Sequence, residues 1–205
     1  MPKHRHDPSA ASSAAPAALP PGYSIRRATS ADGADIAHHR RAMFEDIGVD
    51  ANLDVVEQAF ADWLPTRLDR TYFHWLAAHE GRAIGSAGVM LLDWPPSPRD
   101  PRGGLGFVYN VYVDPGHRRR GIARALMLAL HDWATERELG AMSLHASEHG
   151  RPLYEALGYM PTNEMRIDFL ALARGEWPAP AVAAPAGRLL DAPPNVREQQ
   201  PSSRG

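Results

Sequence analysis

The chain has 205 residues, 44% of them hydrophobic and 22% charged, with a formal net charge of −2. That is enough apolar material for one well-packed domain, and too little positive charge for a nucleic-acid partner. Cysteine is absent, which removes disulfides, thiolate metal sites and a cysteine nucleophile. No apolar run approaches the ~20 residues that span a bilayer, and the first residues lack the compact apolar core of a signal peptide. A cytoplasmic protein without a membrane partner is therefore expected.

Residues 1–22 are rich in alanine, serine and proline and read as a disordered leader. Lys3, His4, Arg5 and His6 within it read as a solvated terminus rather than a metal site. Residues 23–28 (YSIRRA) alternate like a short strand. Thr29 and Ser30 then cap a helix that has Asp32 and Asp35 in its first turns. This helix carries Ile36, Met43, Phe44 and Ile47 and stops near Gly48. A second helix starts after Asn52, with Phe60, Trp63 and Leu64 on one face, and Pro65 kinks or ends it. Residues 72–79 and 83–92 are strands flanking Glu80, Gly81 and Arg82, a hairpin turn. The proline-laden segment 93–104 (DWPPSPRDPRGG) is too stiff and donor-poor to extend a sheet.

Residues 105–113 form the central strand, which Asp114, Pro115 and Gly116 must break. Arg118, Arg119, Arg120 and Gly121 follow, and then Ile122, Ala125, Leu126, Ala129, Leu130 and Trp133 recur at helical spacing as far as Leu139, with Gly140 as the C-terminal cap. A helix start carries unpaired N–H groups and the positive end of the peptide dipole, so strand, basic loop and helix together read as a phosphate site. Gly121 lets the backbone approach the ligand, and the main-chain amides weigh more than any one arginine side chain. Residues 141–146 are a strand, 151–157 a short helix opened by Pro152, and 165–172 a last strand. From residue 175 onward proline is scattered through a disordered tail, which leaves 23–174 as the ordered domain. The order β-α-α-β-β-β-α-β-α-β makes an α/β (α+β mixed) fold, a mixed central sheet of about six to seven strands with helices on both faces.

Two motifs within this order carry a resemblance. Arg118, Arg119, Arg120, Gly121, Ile122 and Ala123 match a Q/R-x-x-G-x-G/A loop directly after the strand NVYVDP. Leu153, Tyr154, Gly158 and Tyr159 match L-Y-x-x-x-G-F/Y, with a predicted helix and strand between the two. The chain thus resembles the GNAT superfamily of acyl-CoA-dependent N-acyltransferases. There is no G-K-[ST] and no Rossmann G-x-G-x-x-G, which points away from nucleoside triphosphates and NAD.

The resemblance implies an enzyme that moves an acetyl group from acetyl-CoA to a primary amine by direct attack in a ternary complex, without a metal. The CoA pyrophosphate would rest on the amides of Arg118, Arg119, Arg120, Gly121, Ile122, Ala123 and Arg124. The pantetheine would pair with the backbone of Val111, Tyr112 and Val113, whose amides polarise the thioester carbonyl. Tyr154 matches the tyrosine that protonates the departing thiolate. Ser147 stands where the family often has a cofactor-contacting asparagine. Phe44 and Glu45 lie in the region that walls the acceptor site, and His145 sits near the acyl end. Asn110 is an amide that needs partners if buried, and it faces either the substrate or the pantetheine.

Glu45, Asp46, His145, Glu148, His149 and a water relay all stay open as the route by which the amine loses its proton. Trp63, Trp75 and Trp94 join Met43 and Phe44 as apolar candidates for core or acceptor wall. The acceptor is a small-molecule or peptide amine, and the acids of the first helices favour a cationic one. An inactive acyl-CoA-binding sensor or interaction module is the alternative, and a homodimer stays open beside a monomer.

Overall fold

The computed structural model describes residues 19–97 and 100–175, so most of the expected leader and nearly all of the expected tail lie outside the described residues. The described chain falls into two units, one up to Met160 and one from Pro161 on.

In the first unit, strand β2 (Tyr72–His79) is buried over most of its length and sets the layers. Because successive side chains of a strand point to opposite faces, Tyr72 and Leu76 enter one core, and Phe73, Trp75 and Ala77 enter another. On the second face lies α3 (Ile122–Glu136), whose Ile122, Leu126, Met127, Leu130 and Trp133 fill the space over the sheet. On the first face lie α1 (Gly33–Asp46) and α2 (Leu53–Trp63), which contribute Ile36, Ala37 and Phe60, with Leu64 just beyond. A sheet covered on both sides needs apolar residues at consecutive strand positions, as β2 shows.

The sheet contains β1 (Tyr23–Arg27), β2, β3 (Arg82–Leu92), β4 (Leu105–Val113) and β5 (Met142–Leu144) in that spatial order. The first four are antiparallel neighbours, and β5 joins β4 in parallel. Glu80 and Gly81 both take positive φ, the two-residue turn whose twist matches the β2–β3 hairpin. Ahead of α1, the Asp32 carboxylate accepts from the Thr29 amide at 2.7 Å and pairs with Arg26 at 2.6 Å. Those contacts hold the carboxyl well below the usual range, the Arg26 bond first. α2 stops at Trp63 because Pro65 enters a 3-10 turn, Leu64–Thr66. α3 stops at Glu136, and Glu138, not Gly140, takes the positive φ that reverses the chain.

Among the described residues the sheet has five strands rather than the six to seven expected. The missing one is 165–172. In the second unit, residues 161–168 have no helix or strand, and 169–173 are helical, forming α5 (Phe169–Ala173). Met165, Ile167 and Phe169 do alternate, yet they are 96%, 54% and 70% exposed. Alternation specifies a strand only where a neighbour supplies the ladder and a core covers one face. Asp168 instead accepts the Ala171 amide at 2.9 Å, which starts a helical turn.

Candidate active site

The β4–β5 edge shapes the first half of the site. Parallel pairing runs from Gly106–Met142 to Val108–Leu144 and ends there, while β4 continues to Val113. Between Tyr109–Gly88 and Tyr112–Ser86, Ala87 of β3 faces both Asn110 and Val111, a bulge of one residue. Asn110 takes a φ of 55° to make it. A bulge re-aims side chains, and here it brings neighbouring Tyr109 and Asn110 to the same cavity.

Past Val113 comes the basic loop. A 3-10 turn, Pro115–His117, leads into Arg118, and positive φ at Arg119 and Gly121 alternates the hand of the backbone before α3 begins. Such alternation turns successive amides toward one concavity. Ala125 makes the first helical bond, to the Gly121 carbonyl at 2.9 Å, so the amides of Ile122, Ala123 and Arg124 precede the ladder. The first turn of α3 holds no acid, and nothing lies within 4 Å of where a Gly121 Cβ would be. An exposed, acid-free helix start with converging amides fits a pyrophosphate. The Arg118 side chain is occupied elsewhere: its Nε donates to the Val113 carbonyl at 2.8 Å and its Nη2 to Asp46 of α1. It braces the loop, and the Arg118 amide donates to the Pro115 carbonyl at 3.4 Å, which leaves the binding of an anion to the amides after it.

Beyond β5, Ser147 accepts the Gly150 amide on its Oγ at 3.1 Å and shapes the turn into α4 (Arg151–Ala156). Tyr154 of α4 packs at the edge of the α3 core, its ring 5.9 Å from that of Tyr159. Burial raises its phenol above the ordinary value, so it holds its proton through neutral pH. Exposed His145, just past β5, sets its ring edge-on to Phe107 at 5.0 Å.

On the opposite face of the sheet from α3, a cavity of about 430 Å³ opens between α2 and the strands. Val55, Val56, Ala59, Phe60 and Trp63 come from α2, with Tyr72, Met90, Tyr109 and Asn110 from the sheet and Arg40 from α1. A chain of hydrogen bonds runs behind it. Arg40 has only donors, so the Asn110 amide must turn its Oδ1 to Nη1, at 2.5 Å. Nδ2 then donates to the Tyr72 hydroxyl at 2.8 Å, and that hydroxyl shares a hydrogen bond with His74 Nδ1 at 3.1 Å. His74 is fully buried, and burial pushes its pKa down to about 3, so its ring is neutral here.

The sequence profile of the Acetyltransferase (GNAT) family matches residues 34–159, a span that runs from the start of α1 to the end of the tyrosine motif. The chain belongs to the GNAT acetyltransferase family. That family is one of acetyltransferases, which use acetyl-CoA. A GCN5-related N-acetyltransferase from Ralstonia eutropha JMP134 superposes with a TM-score of 0.69 at 39% identity, over 73% of this chain and 99% of that one. An acetyltransferase from Clostridium acetobutylicum solved with acetyl-CoA gives 0.68 at 27% identity, over 72% and 97%. The glucosamine 6-phosphate N-acetyltransferase of Trypanosoma brucei brucei is 34% identical over 91 residues, 43% of this chain and 58% of that protein. The match thus spans under two thirds of that relative's length.

Against this family frame the expected residues divide. Val111, Tyr112, Val113 and the amides of residues 118–124 lie on one continuous path along β4 into α3. Asn110 turns to the cavity, with both ends of its amide bonded. Glu45 does not line the cavity; its carboxylate pairs with Arg41 at 2.9 Å, as Asp46 does with Arg118. Phe44 lies under the Arg40 guanidinium at 4.8 Å. Trp63 is wall, Trp75 is core and Trp94 is 53% exposed. Sequence reasoning missed Arg40, Tyr72 and His74. The signal was present: tyrosine and histidine two apart on a strand otherwise apolar share a face and need partners.

Proposed function

We propose that this protein acetylates a primary amine seated in the cavity beside α2, using acetyl-CoA laid along β4 and the loop that follows. The observation that carries this reading is the end of β4–β5 pairing at Val108–Leu144 while β4 runs on to Val113. Beyond that point the β4 backbone has edge length to offer an extended ligand, and it leads straight to the α3 amides. Acetyl-CoA supplies the activated acetyl group when bound. The amides of residues 119–124 hold its pyrophosphate, and the amides of Val111 and Val113 draw charge toward the thioester oxygen. Tyr109 and Asn110 reach the cavity at the same bulge, which sets the amine against the acetyl carbon.

In the transfer, the amine nitrogen bonds the acetyl carbon and the carbon–sulfur bond breaks. Tyr154 gives its hydroxyl proton to the departing sulfur, and the proton shed by the nitrogen restores the phenol through water. Its burial-raised pKa keeps the proton available at neutral pH, and chemistry of this kind contributes ~10²–10⁴-fold to a rate. The test is CoA release from acetyl-CoA over a panel of amines by the wild type and Tyr154→Phe. The variant should bind acetyl-CoA normally and lose about a hundredfold in kcat. Equal kcat would remove Tyr154 from the mechanism, and acetyl-CoA binding without release on any amine would favour the inactive binding module.

A further inference from the structure

We infer that the acceptor amine also carries a carboxylate on an apolar body, and that Arg40 reads this carboxylate. The inference rests on the acetyl-transfer reading above and names its class of acceptor, an amphipathic amino acid.

Among the described residues Arg40 is the only charged one lining the cavity. Its guanidinium is half-buried and lies over the rings of Phe44 and Phe60 at 4.8 and 4.9 Å. One of its five N–H donors goes to the neutral Asn110 oxygen, and its Nε is buried without a partner. Among the described residues no carboxylate pairs with it, and the groups that raise its pKa against burial are the phenols of Tyr72 and Tyr109. The acids close by are spent elsewhere. Adjacent Arg41 takes Glu45, Asp54 and Glu57, and Arg118 takes Asp46. A cation held at an apolar wall without a counter-ion is costly, and the missing charge is the natural part for a ligand to supply.

The chemistry around Arg40 narrows the ligand. One uncompensated guanidinium balances a monoanion, and planar N–H donors suit a carboxylate. A phosphate dianion would bring a second charge into walls of Val56, Ala59, Trp63 and Met90, which offer no further cation. Those walls accept an aromatic or branched group instead, and about 430 Å³ holds one such side chain. The same guanidinium repels any second ammonium. Polyamines and other cationic acceptors are thereby disfavoured, contrary to the expectation drawn from the acids of α1.

Three acceptors separate the possibilities on the full chain: phenylalanine, phenethylamine (the same ring and amine without the carboxylate), and glucosamine 6-phosphate. CoA release is followed for the wild type, Arg40→Gln and Arg40→Lys, with acetyl-CoA affinity confirming an intact fold in each. The wild type should favour phenylalanine over phenethylamine by about tenfold or more in kcat/KM, the difference lying in KM. Arg40→Gln should erase that ratio and Arg40→Lys restore part of it. In parallel, CoA-loaded protein is titrated with N-acetylphenylalanine and with N-phenethylacetamide. The acid should bind about tenfold tighter in the wild type and no tighter in Arg40→Gln.

A preference for phenethylamine or glucosamine 6-phosphate, a ratio that survives Arg40→Gln, or failure of both amides to bind overturns the inference. If no amine is acetylated yet N-acetylphenylalanine binds through Arg40, the transfer reading fails and this one stands. If transfer occurs only to amines without a carboxylate, the transfer reading stands and this one fails.

Discussion

Gly88→Ala places a methyl group in the centre of the polar chain behind the cavity. A Cβ there would lie 2.2 Å from the Tyr72 Oη, 2.6 Å from its Cζ and 2.5 Å from His74 Nδ1, where ordinary contact begins at 3.4 Å. The phenol end must therefore retreat by about 1.2 Å, and because Tyr72 lines the cavity the shift alters its wall. That retreat breaks the 2.8 Å bond from Asn110 and the 3.1 Å contact with His74. Overpacking costs about 1–3 kcal/mol, and two buried hydrogen bonds add about 1 kcal/mol each. Alanine recovers roughly 0.5–1 kcal/mol over glycine within a strand, so the net loss is about 2–4 kcal/mol. Urea unfolding followed by tryptophan fluorescence should show a lower midpoint with an unchanged m-value. The acceptor KM should rise as the Tyr72 wall shifts, while acetyl-CoA affinity holds, because the proposed donor site lies on β4 and the loop. A loss below about 0.5 kcal/mol with an unaltered acceptor KM would refute both the packing and the placement of the acceptor.

Gly121→Ala tests the donor side. With a φ of 79° and open space around the added Cβ, the penalty is backbone strain alone, about 1 kcal/mol. If binding draws on that conformation, acetyl-CoA affinity should fall about fivefold by calorimetry, and an unchanged Kd would place the pyrophosphate elsewhere. His74 links stability to pH. Its folded pKa of about 3 lies below the ordinary histidine value, so the unfolded chain takes up a proton first as pH falls. Its contribution is therefore complete above about pH 6.5 and is lost as pH drops toward 3, by up to ~1.4 kcal/mol per unit. His74→Gln should be less stable at pH 7 yet show a shallower decline between pH 6.5 and 4. His39 and His131, whose pKa values burial also lowers, keep part of the slope in the variant. An identical pH slope in wild type and variant would show that His74 is not held neutral by the fold.

Local chemistry carried most of the fold into the sequence. Pro65 ending α2, Thr29 and Asp32 starting α1, and the Glu80-Gly81 turn all act within a few residues. The turn at Arg118 and Gly121 and the helix start behind it were legible for the same reason: both are local backbone geometry. The segment 165–172 was not, because its alternation says nothing about whether a neighbouring strand exists. The pairing of the α1 acids was not legible either, since Glu45 and Asp46 are bound by Arg41 and Arg118, one of them distant in sequence.

By itself, then, the sequence determined the order of the elements on which the proposed donor site rests. Strand, basic loop, helix and the Leu153–Tyr154 motif lie in order along the chain, and main-chain amides need no distant partner. The proposed acceptor cavity was decided only in three dimensions. Arg40, Tyr72, Asn110 and Phe60 come from four separate elements, and a cavity exists only where they meet. Whether Arg40 is paired or bare depends on which carboxylates folding brings within reach, and on burial, which sets what an unpaired charge costs.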